Sequence, residues 1–442
     1  MKKLSPLLLG TFLLTAAGLF SRFLGFFYRI WLARVIGETS LGLFQMIFPV
    51  FGLALSLCTS GTQTAILRFT AETLAAGDQQ KALRYLFAGL LSSLTLSVLT
   101  GLLLYREADF LAVQILNVPE CAALFPVFAL LLPPAAVHAC ISGYYLGRKN
   151  ATVSAGSQLT EQFVRILVTL LAYQLFLSRS LAPDALLPVI GLVGGEAASF
   201  LFVTCAITAT LHHMKSARFF PASFSEYRSI FKNLSAAACP LTLQRTLTGV
   251  LGSLEAVLLP LALQDWGLTR DAALGIYGIF SGMAMPCILF PSAVTNSMSA
   301  MLMPLVAEAN VSRNSRRLRS ITQNTAALSA AVGIVCFFLF LLFGKLIGTC
   351  ILGNETAGDY LCVLAWICPF FYVNTTLGSI LNGLGRSGLF FAVSILCSGL
   401  RLTCVLILVP AMGIHGHLLG MLISTILQTL LNGWAVSRAA RV

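Results

Sequence analysis

Long apolar stretches recur along the whole chain and limit what it can fold into. A membrane-spanning helix needs about 20 mainly apolar residues, and stretches of that length follow one another throughout the sequence. Only 10% of the 442 residues are charged, whereas a soluble domain carries roughly a quarter. The pattern predicts an all-α polytopic membrane protein with about twelve transmembrane helices.

Lysine and arginine mark one side of the predicted membrane. They concentrate at both ends of the chain and in alternate loops, as at Arg148, Lys149 and Arg313. This positive-inside bias predicts that both termini are cytoplasmic. The same bias explains the net charge of +12, so no nucleic acid is predicted as a partner. The spans are predicted at residues 4–33, 41–66, 83–104, 122–146, 157–177, 186–210, 234–261, 272–303, 321–344, 359–383, 389–410 and 415–436.

The longest polar connection, residues 212–232, falls close to the middle of the chain. We interpret it as a cytoplasmic linker between an N-terminal six-helix bundle, residues 1–211, and a C-terminal six-helix bundle, residues 233–442. Three markers on the two sides match at separations of 236 to 238 residues, which indicates an internal duplication. The matched pairs are Arg148 with Arg386, Glu72 with Glu308, and Arg165 with Arg401.

An even number of spans per half predicts parallel repeats related by an axis along the membrane normal. We expect substrate to bind between such halves, and rocking of the halves to expose it to either side of the membrane. The many prolines inside the spans kink their helices, and kinks of this kind occur both in hinges and in static helices.

Ionisable residues at membrane depth are expensive to bury and by default mark a functional site. Arg22 and Arg29 are seven residues apart and share one helix face, while Glu161 and Arg165 are four apart and can pair. Arginine outnumbers glutamate in the set, and its planar fork matches phosphate oxygens, so an anionic substrate is predicted. The alternative is a set of static salt bridges, above all for Glu196, which lies in a small-residue packing stretch. The candidate substrate-binding residues are Arg22, Arg29, Glu161, Arg165, Arg245, Glu255 and Arg401.

Motifs for other chemistry are absent from the sequence. The twelve cysteines are scattered singly, so neither a disulfide framework nor a zinc site is predicted. The GLGRSG stretch at 383–388 follows no strand, and no phosphate-binding loop for ATP occurs. His415 and His417 are interpreted as a short external loop pair without a third ligand. We therefore expect no enzyme, no catalytic residues, no cofactor and no metal.

Several segments resemble the polysaccharide and lipid-linked oligosaccharide flippases of the multidrug/oligosaccharidyl-lipid/polysaccharide (MOP) exporter superfamily. The resemblance covers essentially the whole chain and is nearest to the stage V sporulation protein B branch, which is related to the MurJ-type lipid II flippases. The segments that carry it are SRFLGFFYRIWLARVIG at 21–37, SGTQTAILR at 60–68, GYYLGRKNAT at 143–152, SQLTEQFVRI at 157–166, GIYG at 275–278 and MPLVAE at 303–308.

The resemblance implies a MATE-like fold in the bacterial cytoplasmic membrane and flipping of undecaprenyl-diphosphate-linked sugars by alternating access. It also implies that arginines of the first helix, here Arg22 and Arg29, line the cavity. MurJ-type proteins carry a further arginine on the eighth helix, and residues 275–291 contain none. The resemblance therefore does not identify which sugar is carried.

The implied partners are a lipid-linked oligosaccharide and membrane lipids. Cell-wall synthesis enzymes and a coupling ion, H⁺ or Na⁺, are further candidates. Two alternative functions are a Na⁺- or H⁺-coupled multidrug antiporter of the MATE type and a non-transporting scaffold for cell-wall enzymes.

Overall fold

The computed structural model describes residues 6–213, 224–292, 295, 296, 298, 299, 302, 306 and 315–439. Within these residues, eleven helices are long and apolar enough to cross a membrane. They are α1 (Pro6–Ala75), α2 (Gln79–Arg106), α3 (Phe125–Gly147), α4 (Thr152–Ser178), α5 (Leu186–His213), α6 (Phe224–Asp265), α7 (Arg270–Leu289), α8 (Ser315–Leu346), α9 (Glu355–Gly383), α10 (Ser387–Met412) and α11 (Ile414–Ala439).

Helix α1 contains the first two predicted spans in one continuous stretch of 70 residues. A straight helix of that length would measure about 105 Å, far more than the roughly 30 Å of a hydrocarbon core. Gly37 interrupts it with φ 76° and ψ 174°, a backbone region open essentially to glycine alone. Eleven helices thus accommodate twelve spans, and the predicted all-α polytopic fold is confirmed.

Short irregular turns shape several helix ends. A π-helical turn, Ile279–Ala284, lies inside α7, and another, Ile347–Leu352, extends α8. Asn354 caps the N-terminus of α9, where its side-chain oxygen accepts a hydrogen bond from the backbone N–H of Ala357 at 2.9 Å. The α10–α11 connection is a single residue, Gly413, with a positive φ of 62°.

The chain forms two compact units, and α1 and α6 contribute to both. The first unit contains Met1–Gly25 and Met46–Val250, and the second contains Phe26–Gln45 and Leu251–Val442. The predicted sequence repeats, residues 1–211 and 233–442, have different boundaries from these two units. The division into repeats stays a prediction. Residues 214–223 of the predicted 212–232 linker lie outside the described residues.

The core of the first unit is built where α2, α3 and α5 meet. Tyr144 of α3 is fully buried. Its neighbour Tyr145 donates a hydrogen bond to the Ala206 carbonyl of α5 at 2.8 Å. Phe69 stacks on Tyr85 with ring centroids 4.6 Å apart. Stacked aromatic rings and the hydrogen bond of the Tyr145 hydroxyl therefore hold these helices together.

In the second unit, α7, α9 and α11 form the interior. Tyr372 of α9 is buried and donates a hydrogen bond to the Ile288 carbonyl of α7 at 2.7 Å. Asn432 of α11 donates to the Asn374 side chain of α9 at 2.7 Å. A Cβ atom at Gly278 of α7 would lie 2.6 Å from the Gly42 nitrogen. Small residues therefore permit close backbone approach here, as is common between membrane helices.

Large apolar side chains cover the outer faces of the peripheral helices. On α2, Leu91, Leu99 and Leu102 are 59–67% exposed, and on α8 Leu342 is 70% exposed. In water such surfaces would associate, whereas in a bilayer they contact lipid tails. The same residues produced the long apolar stretches in the sequence.

The backbone at Gly37 generates a test of the break in α1. We expect Gly37→Ala to lower the free energy of unfolding by about 1–3 kcal/mol, because a Cβ atom is strained in this region. Gly52→Ala is the matched control, since Gly52 lies in regular helix of α1 and a Cβ there meets nothing within 4 Å. The measurement is thermal unfolding of the purified variants in detergent. Equal melting temperatures for the two variants would contradict the assignment.

Candidate functional site

The seven candidate residues are distributed over both units. Arg22, Glu161, Arg165 and Arg245 belong to the first unit, and Arg29, Glu255 and Arg401 belong to the second. The structure brings two pairs together, Glu161 with Arg165 and Glu255 with Arg401. Arg22, Arg29 and Arg245 have exposed side chains.

In the first unit, α4 carries the ion pair that the spacing predicts. The Arg165 guanidinium donates to Glu161 Oε1 one helical turn away. Both side chains are about one-fifth exposed, at 22% each. Helix α5 approaches this pair closely because Gly195 has no side chain, and a Cβ there would lie 2.8 Å from the Glu161 carbonyl oxygen. The predicted small-residue packing stretch therefore lies against the ion pair.

Two further groups join this pair, and together they form the first cluster: His138, Glu161, Arg165 and Glu196. His138 Nδ1 of α3 lies 3.6 Å from Glu196 Oε1 of α5, and the other ring nitrogen, Nε2, is 3.1 Å from Ser157 Oγ. The ligand atoms of His138, Glu161 and Glu196 lie within 4.8 Å of one another, a donor set suited to a divalent cation. The guanidinium of Arg165 offsets part of their negative charge.

The second cluster joins three helices of the second unit: Glu255 of α6, Arg401 of α10 and His417 of α11. Arg401 donates to Glu255 Oε2 through Nε at 2.8 Å, and its terminal nitrogen is 2.6 Å from the same oxygen. The other carboxylate oxygen, Oε1, is 3.8 Å from His417 Nε2. The carboxylate of Glu255 thus presents one oxygen to arginine and the other to histidine.

The two clusters pair their arginines differently. Arg165 uses a glutamate on its own helix, whereas Arg401 uses one that is 146 residues away in sequence. Arg165 and Arg401 occupy matched positions of the predicted repeat, so both clusters contain an arginine at the same place. The glutamate that pairs with it comes from a different helix in each cluster. Each arginine still keeps part of its side chain accessible, 22% for Arg165 and 27% for Arg401.

Arg29 lies on the α1 segment that packs in the second unit. It borders a narrow cleft together with apolar side chains. The lining residues are Phe26, Arg29, Ile30, Ala33, Gly282, Met283, Pro286 and Leu352. A guanidinium beside apolar side chains is suited to an anion that carries an apolar chain.

Arg34 and Glu38, on either side of Gly37, hold the turn between α8 and α9. Arg34 donates to the backbone carbonyls of Cys350, at 2.6 Å, and Ile351. Glu38 accepts a hydrogen bond from the side chain of Asn354, the residue that caps α9. The carbonyls at the end of a helix carry partial negative charge, so arginine is well suited there.

Sequence reasoning missed His138 and misplaced His417. The pair His415 and His417 was expected in an external loop, but both lie in the first turns of α11. The loop interpretation was wrong because Gly413 alone makes the connection between α10 and α11. The available signal was a histidine inside an apolar run, which is costly unless it has a partner.

Comparison with known proteins agrees with these features. Residues 7–310 match the model of the polysaccharide biosynthesis protein family, and residues 267–407 match the MatE model. The chain is 28% identical over 435 residues to the stage V sporulation protein B of Bacillus subtilis (strain 168), covering 97% of this chain and 83% of that protein. It is 23% identical over 434 residues to the lipid II flippase MurJ of the same organism, covering 91% and 77%.

A solved structure shows the same fold. An inward-facing multidrug resistance MATE family transporter of the MOP superfamily matches with a TM-score of 0.77 over 96% of each chain, at 15% sequence identity. The family match covers more than half of the chain, and the fold match covers nearly all of it. The chain therefore belongs to the polysaccharide biosynthesis protein family of the MOP superfamily, and it is a multi-pass membrane transporter of that superfamily rather than an enzyme.

Proposed function

We propose that the chain flips an undecaprenyl-diphosphate-linked sugar, a lipid II-like precursor or polysaccharide unit, to the outer leaflet of the bacterial cytoplasmic membrane by alternating access. The observation that carries this proposal is the charge balance of the intramembrane residues. Five arginines stand against three glutamates in this set, Glu196 included, and Glu161 and Glu255 are each paired with an arginine. A protein surface with this balance favours an anion.

The chemistry of arginine supports a diphosphate in particular. Its guanidinium stays charged in any surrounding and donates two parallel hydrogen bonds to a phosphate group. Arg29 combines this fork with the apolar residues Phe26, Ile30 and Met283, a combination that fits a diphosphate attached to a long hydrocarbon chain. The similarity to a lipid II flippase supports the same substrate class, with the sugar left open.

The alternative function is a Na⁺- or H⁺-coupled multidrug antiporter, which the MatE match of residues 267–407 favours. Export of organic cations calls for a carboxylate that is not already neutralised. Glu255 accepts both of its short contacts from Arg401, which argues against it as a cation ligand. Drug-susceptibility assays on cells that express the chain discriminate the two functions, because only the antiporter raises resistance.

The role of the first-helix arginines is tested by substitution. We expect Arg22→Ala and Arg29→Ala to abolish transport of a fluorescent undecaprenyl-diphosphate sugar in proteoliposomes, because each removes a phosphate ligand. Arg106→Ala is the matched control, since Arg106 is 82% exposed at the end of α2 beside Glu107. All three variants should insert normally into the membrane. Full activity of both Arg22→Ala and Arg29→Ala would sink the proposal.

A double-mutant cycle separates a static salt bridge from a substrate-binding arginine. We expect Arg165→Gln to lower stability by about 1.5–3 kcal/mol, since it removes a charged hydrogen-bond partner and leaves Glu161 unpaired. Glu161→Gln with Arg165→Gln should restore most of that stability, because no charge remains. Transport should stay low in the double variant if Arg165 binds phosphate.

The same cycle applies to Glu255 and Arg401 in the second unit. Stability is read from thermal unfolding in detergent, and transport from the proteoliposome assay. Recovery of both quantities in both double variants would show that these arginines are structural and would remove them from the substrate site.

A further inference from the structure

His417 is buried in the second unit in a way that calls for an explanation. Its side chain is 1% exposed, and neither ring nitrogen has a hydrogen-bond partner among the described residues. The ring packs edge-on against Phe280 of α7, with centroids 4.9 Å apart and planes at 87°. Nearly all buried polar side chains in proteins have partners, so the unpartnered ring of His417 indicates a second state in which it gains one.

The neighbours of His417 define what that change can be. Glu255 points Oε1 toward Nε2 of His417 across 3.8 Å, while Oε2 is held by Arg401. Tyr277 of α7 also interacts electrostatically with Glu255. With Arg401 on Glu255 the cluster is charge-balanced, and His417 is most stable as the neutral ring. An added proton would then make the cluster net positive in a medium of low dielectric constant.

Arg401 is the member of the cluster that can leave. Its side chain is 27% exposed, against 16% for Glu255 and 1% for His417. If the guanidinium turns to a phosphate oxygen, Glu255 keeps a negative charge in a largely buried position without its arginine. An uncompensated buried charge is strongly unfavourable, and it attracts the smallest cation available, a proton. His417 Nε2, 3.8 Å from Glu255 Oε1, is a basic atom that can hold that proton beside the carboxylate.

We propose that His417 is a proton-binding site coupled to anion binding through Arg401. When Arg401 moves from Glu255 to a phosphate oxygen of the substrate, the Nε2 lone pair of His417 takes one proton from water, and Nδ1 keeps its own hydrogen. The imidazolium then donates from Nε2 to Glu255 Oε1, after the gap of 3.8 Å closes by about 1 Å to hydrogen-bond length. Release of the anion reverses both steps and returns the proton to water.

This inference rests on the proposed function, because it requires an anion for Arg401. It goes further in naming the coupling ion and its ligand. The first cluster does not carry the same inference, because His138 there is already partnered by Ser157 at 3.1 Å and Ser199 at 3.5 Å. One proton taken up per anion bound through Arg401 keeps the charge of the Glu255 cluster balanced in both states.

The experiment measures proton uptake on binding. Undecaprenyl diphosphate is titrated by calorimetry into the purified full chain in nanodiscs, in Tris and in HEPES, whose different ionisation enthalpies reveal proton exchange. For the wild type we expect uptake of up to one proton and an affinity that falls by as much as tenfold per unit rise in pH, since the bound state holds the extra proton. Any proton exchange by the diphosphate of the lipid is the same for all variants, so it cancels when the variants are compared.

Variants of the cluster identify the residue that takes up the proton. His417→Gln should bind with little uptake and a flatter pH dependence, and His415→Gln, two residues away and exposed, should behave as the wild type. Glu255→Gln should also lose uptake, because no carboxylate remains to be compensated; it serves if His417→Gln does not fold. Binding without uptake by the wild type, or equal uptake in all variants, would overturn the inference and leave the flippase proposal standing. Failure of the wild type to bind would overturn both.

Discussion

A charge in the hydrocarbon core is tolerated only beside an opposite charge or a set of hydrogen-bond donors, and this constraint organises the polar interior of the protein. Moving a carboxylate out of water is unfavourable by several kcal/mol, even after the surroundings relax. Glu161 and Glu255 meet the constraint through arginines, and Glu196 lies beside His138. The helices that supply these partners must therefore keep close contact, and glycines such as Gly195 make that contact possible.

The fold was largely predictable because the bilayer imposes a length and a polarity on every span. The apolar stretches predicted where the membrane-spanning helices lie, although α6 begins well before its predicted span and the first two spans form one helix. The i,i+4 spacing predicted the ion pair of Glu161 and Arg165. Both signals are local in sequence. The break in α1 at Gly37 was not predicted as such, since a glycine between two apolar runs also fits an ordinary loop.

The site was predictable only in part, because its remaining contacts join distant segments. Glu255 and Arg401 were both candidates, yet their pairing across 146 residues has no signature in the sequence. His417 was assigned to a loop, and its burial depends on the one-residue connection at Gly413. Tertiary packing decides which of several membrane-depth charges meet, and no periodicity within one helix contains that information.

The packing of residues 26–45 has a consequence for biosynthesis. Arg34 and Glu38 contact carbonyls and a side chain more than 310 residues later in the chain. A ribosome that adds 5–20 residues per second needs roughly 15–60 s to cover that interval. During that time this piece of α1 is already in the membrane without its final neighbours. The second unit is therefore completed only when its last helices are synthesised, although residues 26–45 of α1 are made near the start. Until then, the polar groups of Arg34 and Glu38 need other partners.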